Sequence, residues 1–122
     1  MKNLKTPLRY PGGKSRAITK ISEFFPDLSK YDQFREPFVG GGSVALWVTK
    51  TYPDLLIWVN DLYEPLYNFW VQLQASGSEM QDILSNIKEE NPDPDKAKEL
   101  FIECKNQVST GDDLDRAVAF YI

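Results

Sequence analysis

A chain of 122 residues, 42% hydrophobic and 26% charged, has room for one domain of ordinary size and the composition of a folded globular protein. It has no histidine and one cysteine, Cys104, which excludes an internal disulfide, Cys/His zinc sites and histidine-based triads. The net charge of −4 argues against tight nonspecific nucleic-acid binding by the chain as a whole, because that affinity comes from Lys and Arg neutralising phosphates.

Apolar runs such as Leu55 to Val59 are far short of the roughly 20 residues that cross a bilayer. No apolar stretch follows the Met-Lys-Asn-Leu-Lys start, so a reducing, cytoplasmic setting without membrane attachment is expected. Charge is unevenly spread. Residues 1–20 carry Lys2, Lys5, Arg9, Lys14, Arg16 and Lys20 and no acid, whereas residues 79–99 are acidic and read as a solvated surface.

In chain order, Thr6 to Tyr10 reads as extended and ends at the turn Pro11-Gly12-Gly13. Ala17, Ile18, Ile21, Phe24 and Phe25 follow with helical period until Pro26. Asp32 to Val39 reads as a strand with Phe34, Glu36 and Phe38 on one side, broken by Gly40-Gly41-Gly42. Ser43 to Lys50 resumes as a helix. Leu55 to Val59 is apolar throughout, the pattern of a strand covered on both faces in a parallel sheet. Leu62, Leu66, Phe69, Trp70 and Leu73 mark an amphipathic helix closed by Ser76-Gly77.

Three further helices are expected. The first opens at the capping-box spacing of Ser78 to Gln81, the second at Asp93-Pro94, and the third after Thr110-Gly111-Asp112-Asp113. The predicted architecture is an α/β part over residues 1–77 and a helical segment over 78–122. Two strands are few for a buried sheet, so their edges require cover. Trp47, Trp58 and Trp70 fall at core-like positions, and Cys104 lies on an apolar helical face as a structural thiol.

The strongest chemical signal is Glu36-Pro37-Phe38-Val39-Gly40-Gly41-Gly42-Ser43. Glycines between a strand and a helix let a ligand approach the backbone, and the helix start offers unpaired N–H groups. Asp61 ends the next strand nineteen residues after Gly42, where a carboxylate accepts hydrogen bonds from ribose hydroxyls in nucleotide-binding βαβ units. The plainer alternative is a tight turn and an acid that merely ends a strand. Ala45 replaces the third glycine of the dinucleotide pattern, which disfavours NAD.

A second signal is Arg9-Tyr10-Pro11-Gly12-Gly13-Lys14-Ser15. A phosphate-loop reading fails, because Leu8 stands where the leading glycine is needed. Lys14 at a helix start has the chemistry to hold a carboxylate, and Tyr10 offers a flat wall for a ring; a surface turn with a solvated lysine is the bland alternative.

Taken together, Leu8 to Lys14, Glu36 to Ser43, and Val59-Asn60-Asp61 followed by Pro65-Leu66 and Asn68 resemble the motifs of the Dam-type (D12 class) DNA adenine-N6 methyltransferases. Residues 78–122 resemble more loosely the helices that lead into that family's target-recognition domain. The resemblance implies a partial Rossmann-like methyltransferase sheet flanked by helices, with S-adenosylmethionine as methyl donor and no metal. It implies donor contacts from Tyr10, Gly12, Gly13 and Lys14, from Glu36, Pro37, Phe38, Gly40, Gly41 and Gly42, and from Asp61 at the ribose. Double-stranded DNA in a bacterial or phage-infected cell is the implied substrate.

The family's Asp-Pro-Pro-Tyr segment, which binds the flipped adenine, does not occur in these 122 residues. Asn91-Pro92-Asp93-Pro94 comes nearest, and it reads as a helix start. A truncated form, inactive alone, is therefore expected. One alternative is a donor-binding or interaction module that pairs with a second copy or with a polypeptide carrying the missing segment. A phosphate-binding kinase or NTPase is the third reading.

Overall fold

The computed structural model describes residues 4–122, so Lys2 lies outside the described residues. The chain forms two compact units, residues 1–62 and 63–122.

The first unit is built around one βαβ crossover. β1 (Gln33–Glu36) and β2 (Leu56–Val59) pair in parallel, with Gln33 opposite Leu56 and Glu36 opposite Val59. Pairing runs on past both strands, because Asn60 N–H donates to Glu36 O at 2.9 Å and Val39 N–H donates to Asn60 O at 2.8 Å. Before β1 lies α1 (Ile18–Ser22), one short turn of helix instead of the longer one expected up to Phe25. Between the strands, α2 (Ser43–Thr51) buries Ala45 and Val48. Trp47 meets Phe25 and Tyr52 edge-on, with centroids 5.7 and 6.2 Å apart.

Two expectations about the strands need correction. The first strand ends at Glu36, so Phe38 lies in the following loop and is 79% exposed. β2 is not covered on both faces, because Leu56 is 63% and Trp58 46% exposed. An all-apolar run shows that a strand is suited to double cover, not that the covering elements are present. Trp58 is accordingly not a core residue, whereas Trp47 and Trp70 are half-buried.

The second unit is helical. α3 (Glu64–Glu90) joins the two helices expected on either side of Ser76-Gly77 into one element, with a kink where Ser76 leaves helical geometry at φ −140° and ψ 30°. Next come α4 (Pro94–Gln107) and α5 (Asp113–Tyr121). Asp93 caps α4 by accepting the Asp95 N–H at 3.0 Å, and Asp112 caps α5 by accepting the Asp115 N–H at 2.8 Å.

The core of this unit is Leu66, Phe69, Met80, Cys104, Ala117, Val118 and Ala119, all buried. Phe69 stacks on Tyr121 with centroids 6.1 Å apart and lies 5.8 Å from Phe120, so α3 and α5 share an aromatic seam. The buried Asn68 is satisfied across that seam, donating from Nδ2 to Asp113 O at 2.8 Å. Arg116 pairs with Glu64 and donates from Nε to Val108 O at 3.0 Å, tying α5 to the start of α3 and the end of α4. Burial pushes the Cys104 thiol up, with the Glu103 charge adding to it, which suits a structural thiol.

Candidate functional site

The C-terminal ends of β1 and β2 are where the sequence motifs meet. Gly40 and Gly42 take left-handed backbone at φ 51° and 76°, and Gly42 is the N-cap of α2 with no side chain to offer the helix. That cap is supplied from the strand. The Glu36 carboxylate accepts the backbone N–H of Ala45, in the first turn of α2. On the other side, Asp61 Oδ2 accepts the Gly40 N–H at 3.0 Å. A carboxylate at the end of β1 and one just past β2 thus brace the glycine turn.

The N-terminal motif is seated on the same turn. Thr6 Oγ1 donates to Gly41 O, and Ser15 Oγ lies 2.8 Å from Ser43 Oγ, the first residue of α2. The Tyr10 side chain lies on the glycines. A Cβ on Gly41 would stand 3.1 Å from the Tyr10 Cβ, so this position has no room for a side chain without moving Tyr10. Pro11 and Gly12 make the turn beneath, closed by Gly13 N–H to Tyr10 O at 3.0 Å, with Gly12 at φ 75° as its third residue.

Thr6, Tyr10, Gly12, Gly13, Ser15 and Gly41, with Leu8, Arg9 and Arg16, line a hollow of about 450 Å³. That is within the range of small-molecule sites, roughly 300–1,000 Å³. Of the residues expected to hold a ligand, the hollow contains Tyr10, Gly12, Gly13 and Gly41, while Gly40, Gly42, Glu36 and Asp61 form the turn behind it. Lys14 is not among the lining residues, and its Nζ donates to Gly12 O at 2.7 Å. Pro37 and Phe38 are exposed in the loop between Glu36 and the turn. Thr6 was not singled out by the sequence, and Ser15, though at the end of the second motif, had no partner that the sequence could name.

The electrostatics centre on Glu36. Its Oε2 is buried and has no hydrogen-bond partner among the described residues. Burial pushes its carboxyl up to about 7, against the opposing effect of the Ala45 N–H. The folded value lies above the ordinary 4.5, so Glu36 favours folding fully below about 4.5, and that contribution is lost as pH rises through 7. The thermal midpoint is therefore expected to fall between pH 5 and pH 8. Melting curves of Glu36→Gln should show a shallower fall, and an unchanged slope would contradict the assignment.

Among the described residues, no group of three or more His, Cys, Asp or Glu side chains is placed to hold a metal ion. No helix of the described residues is long and apolar enough to cross a membrane.

Residues 10–122 match the model of the D12 class N6 adenine-specific DNA methyltransferases, and the chain belongs to that family. It is 27% identical over 109 residues to the type II methyltransferase M1.LlaDCHI of Lactococcus lactis subsp. cremoris, covering 89% of this chain and 34% of the relative. It is 25% identical over 111 residues to the type II methyltransferase M.MjaIII of Methanocaldococcus jannaschii, covering 87% of this chain and 38% of that protein. The chain thus spans little more than a third of the length of these curated relatives. A D12 methyltransferase family implies S-adenosylmethionine as the general methyl donor and DNA as the molecule acted on.

Proposed function

We propose that this chain is the S-adenosylmethionine-binding part of a DNA adenine-N6 methyltransferase, with a partial Rossmann-like sheet whose glycine turn is the donor seat. The carrying observation is the convergence of three distant segments on that turn: Tyr10 lies on Gly40 and Gly41, and Asp61 accepts the Gly40 N–H.

The residues present fit the donor. Its adenosine offers a ring for Tyr10 and a ribose diol for Asp61, and its amino-acid end offers a carboxylate for Lys14, whose Nζ would exchange the Gly12 carbonyl for it. Tyr10 lies over Gly41, and Pro37 and Phe38 are exposed in the loop before the turn. Glu36, with an unpartnered buried oxygen behind the turn, adds a carboxylate to a site for a cationic ligand. The donor, when bound, supplies an electrophilic methyl group. Tyr10, Gly40, Gly41, Gly42 and Asp61 bind and orient it, and residues 78–122 act as the helical lead into target recognition.

Transfer to adenine also requires groups that accept hydrogen bonds from the exocyclic amine, and no Asp-Pro-Pro-Tyr segment occurs in these 122 residues. Incubating this chain with adenine-rich duplex and methyl-labelled donor is expected to leave N6 unlabelled. Label on N6 above a no-protein control would contradict that half of the proposal.

A second reading, a module that recruits another polypeptide, is favoured by the exposed Leu56 and Trp58 on the face of the strand pair. Its partner would be a second copy or a chain carrying Asp-Pro-Pro-Tyr. Sedimentation equilibrium of the isolated chain is expected to show a mass that rises with concentration; a strict monomer removes self-association.

A further inference from the structure

Glu36 does something that capping a helix does not require. An N-cap needs one acceptor oxygen, and serine, threonine, asparagine or aspartate at Gly42 could provide it locally. Here the acceptor comes from the neighbouring strand, and its second oxygen, Oε2, is buried with no partner among the described residues. Leaving a carboxylate oxygen in that state is costly unless something compensates in another state of the protein.

Neighbouring side chains offer no compensation. Phe34 precedes Glu36 on the same face of β1, Val59 and Asn60 pair with it from β2, and Ala45 meets it from α2. None carries a charge, and no ionised group contributes to the upward shift of its carboxyl. Asp61, at the end of β2, is the other carboxylate of the turn, and it engages Gly40. Of the cations of the N-terminal motif, Lys14 donates to Gly12 O, and Arg9 and Arg16 line the hollow without contributing to the shift at Glu36.

We propose that Glu36 is a positioning residue that distinguishes a positively charged occupant of the glycine turn from a neutral one, by giving up its proton to solvent when the cation arrives. The inference rests on the donor-binding reading above and extends it. S-Adenosylmethionine and S-adenosylhomocysteine share the adenosine, ammonium and carboxylate groups, and they differ in the sulfonium charge. With the cation in place, the ionised carboxylate is favoured and keeps its Ala45 N–H bond; no bond forms to the donor, and one proton passes to the buffer. After the methyl group leaves, the neutral sulfide no longer holds Glu36 ionised, the carboxyl takes its proton back, and the product is held less tightly than the donor.

The test is titration calorimetry of the full chain at pH 7 in phosphate and in Tris, whose different ionisation heats report the protons released. S-Adenosylmethionine is expected to release about half a proton, since a group titrating near 7 is about half protonated there, and S-adenosylhomocysteine close to none. Donor affinity should rise about tenfold from pH 6 to pH 8, with product affinity nearly level. Glu36→Gln should abolish the difference in proton release. Because donor and product are compared on the unmodified chain, the result does not depend on that variant folding. Equal proton release by the two ligands, with both bound, overturns this inference and leaves the donor-binding reading intact. Failure of either ligand to bind at saturating concentration overturns both. A Glu36 that is only structural would alter the melting temperature without any difference between the ligands.

Discussion

Replacing Asp61 with alanine is expected to weaken S-adenosylmethionine binding by about 10- to 100-fold, the loss of one or two hydrogen bonds to a charged acceptor at roughly 1.5–3 kcal/mol. The effect has two sources. Asp61 Oδ2 accepts the Gly40 N–H at 3.0 Å, so removing it strips the turn of a brace and leaves a partly buried N–H to find another acceptor. The same carboxylate is the proposed ribose acceptor. Asp61→Asn separates these roles, because its amide oxygen can still accept the Gly40 N–H while the charge is lost. Isothermal titration of the two variants should give an intermediate loss for asparagine. Unchanged affinity in Asp61→Ala would remove Asp61 from the donor site.

The second large effect concerns the helical unit. Phe69→Ala is expected to destabilise residues 63–122 by about 3–5 kcal/mol, the range for emptying a fully buried aromatic position. Phe69 is 1% exposed and meets Trp70, Phe120 and Tyr121, so its ring joins the first half of α3 to the last turn of α5. A domain of this size has only about 5–15 kcal/mol of stability in hand, so much of the cooperative unfolding signal should disappear. Urea denaturation followed by far-ultraviolet circular dichroism measures it. A loss below about 1 kcal/mol would mean that the aromatic seam is not the core of the unit.

The same two regions show what the amino-acid order reveals. Asp93-Pro94 announced a helix start, and the structure places the cap and the first proline there, because capping is a contact between residues two or three apart. Ser76-Gly77 announced a stop and produced only a kink. A glycine costs a helix roughly 1 kcal/mol, which the apolar faces of α3 on either side outweigh. The β2 run shows the opposite limit: Leu56 and Trp58 have the chemistry of covered residues, yet cover is a property of other segments.

The place of Asp61 beside the glycine turn was legible, because its spacing from the glycines follows from the length of one helix and one strand. The contacts of Thr6 with Gly41 and of Ser15 with Ser43 were not legible. Short hydroxyl side chains pair wherever the backbone brings them together, and no local pattern marks the partner. Glu36 stood inside a recognised motif, but its orphaned oxygen is a matter of what surrounds it in space.

On the proposed reading, the turn at Gly40, Gly41 and Gly42 is the seat of a sulfonium nucleoside. The most direct measurement is a titration of the isotopically labelled chain with S-adenosylmethionine, followed by amide NMR. Saturable shifts are expected at the three glycine amides and at Asp61, with the amides of residues 95–107 in α4 unmoved. Shifts that stay at baseline at saturating donor, or that fall elsewhere and leave the glycines still, would contradict that reading.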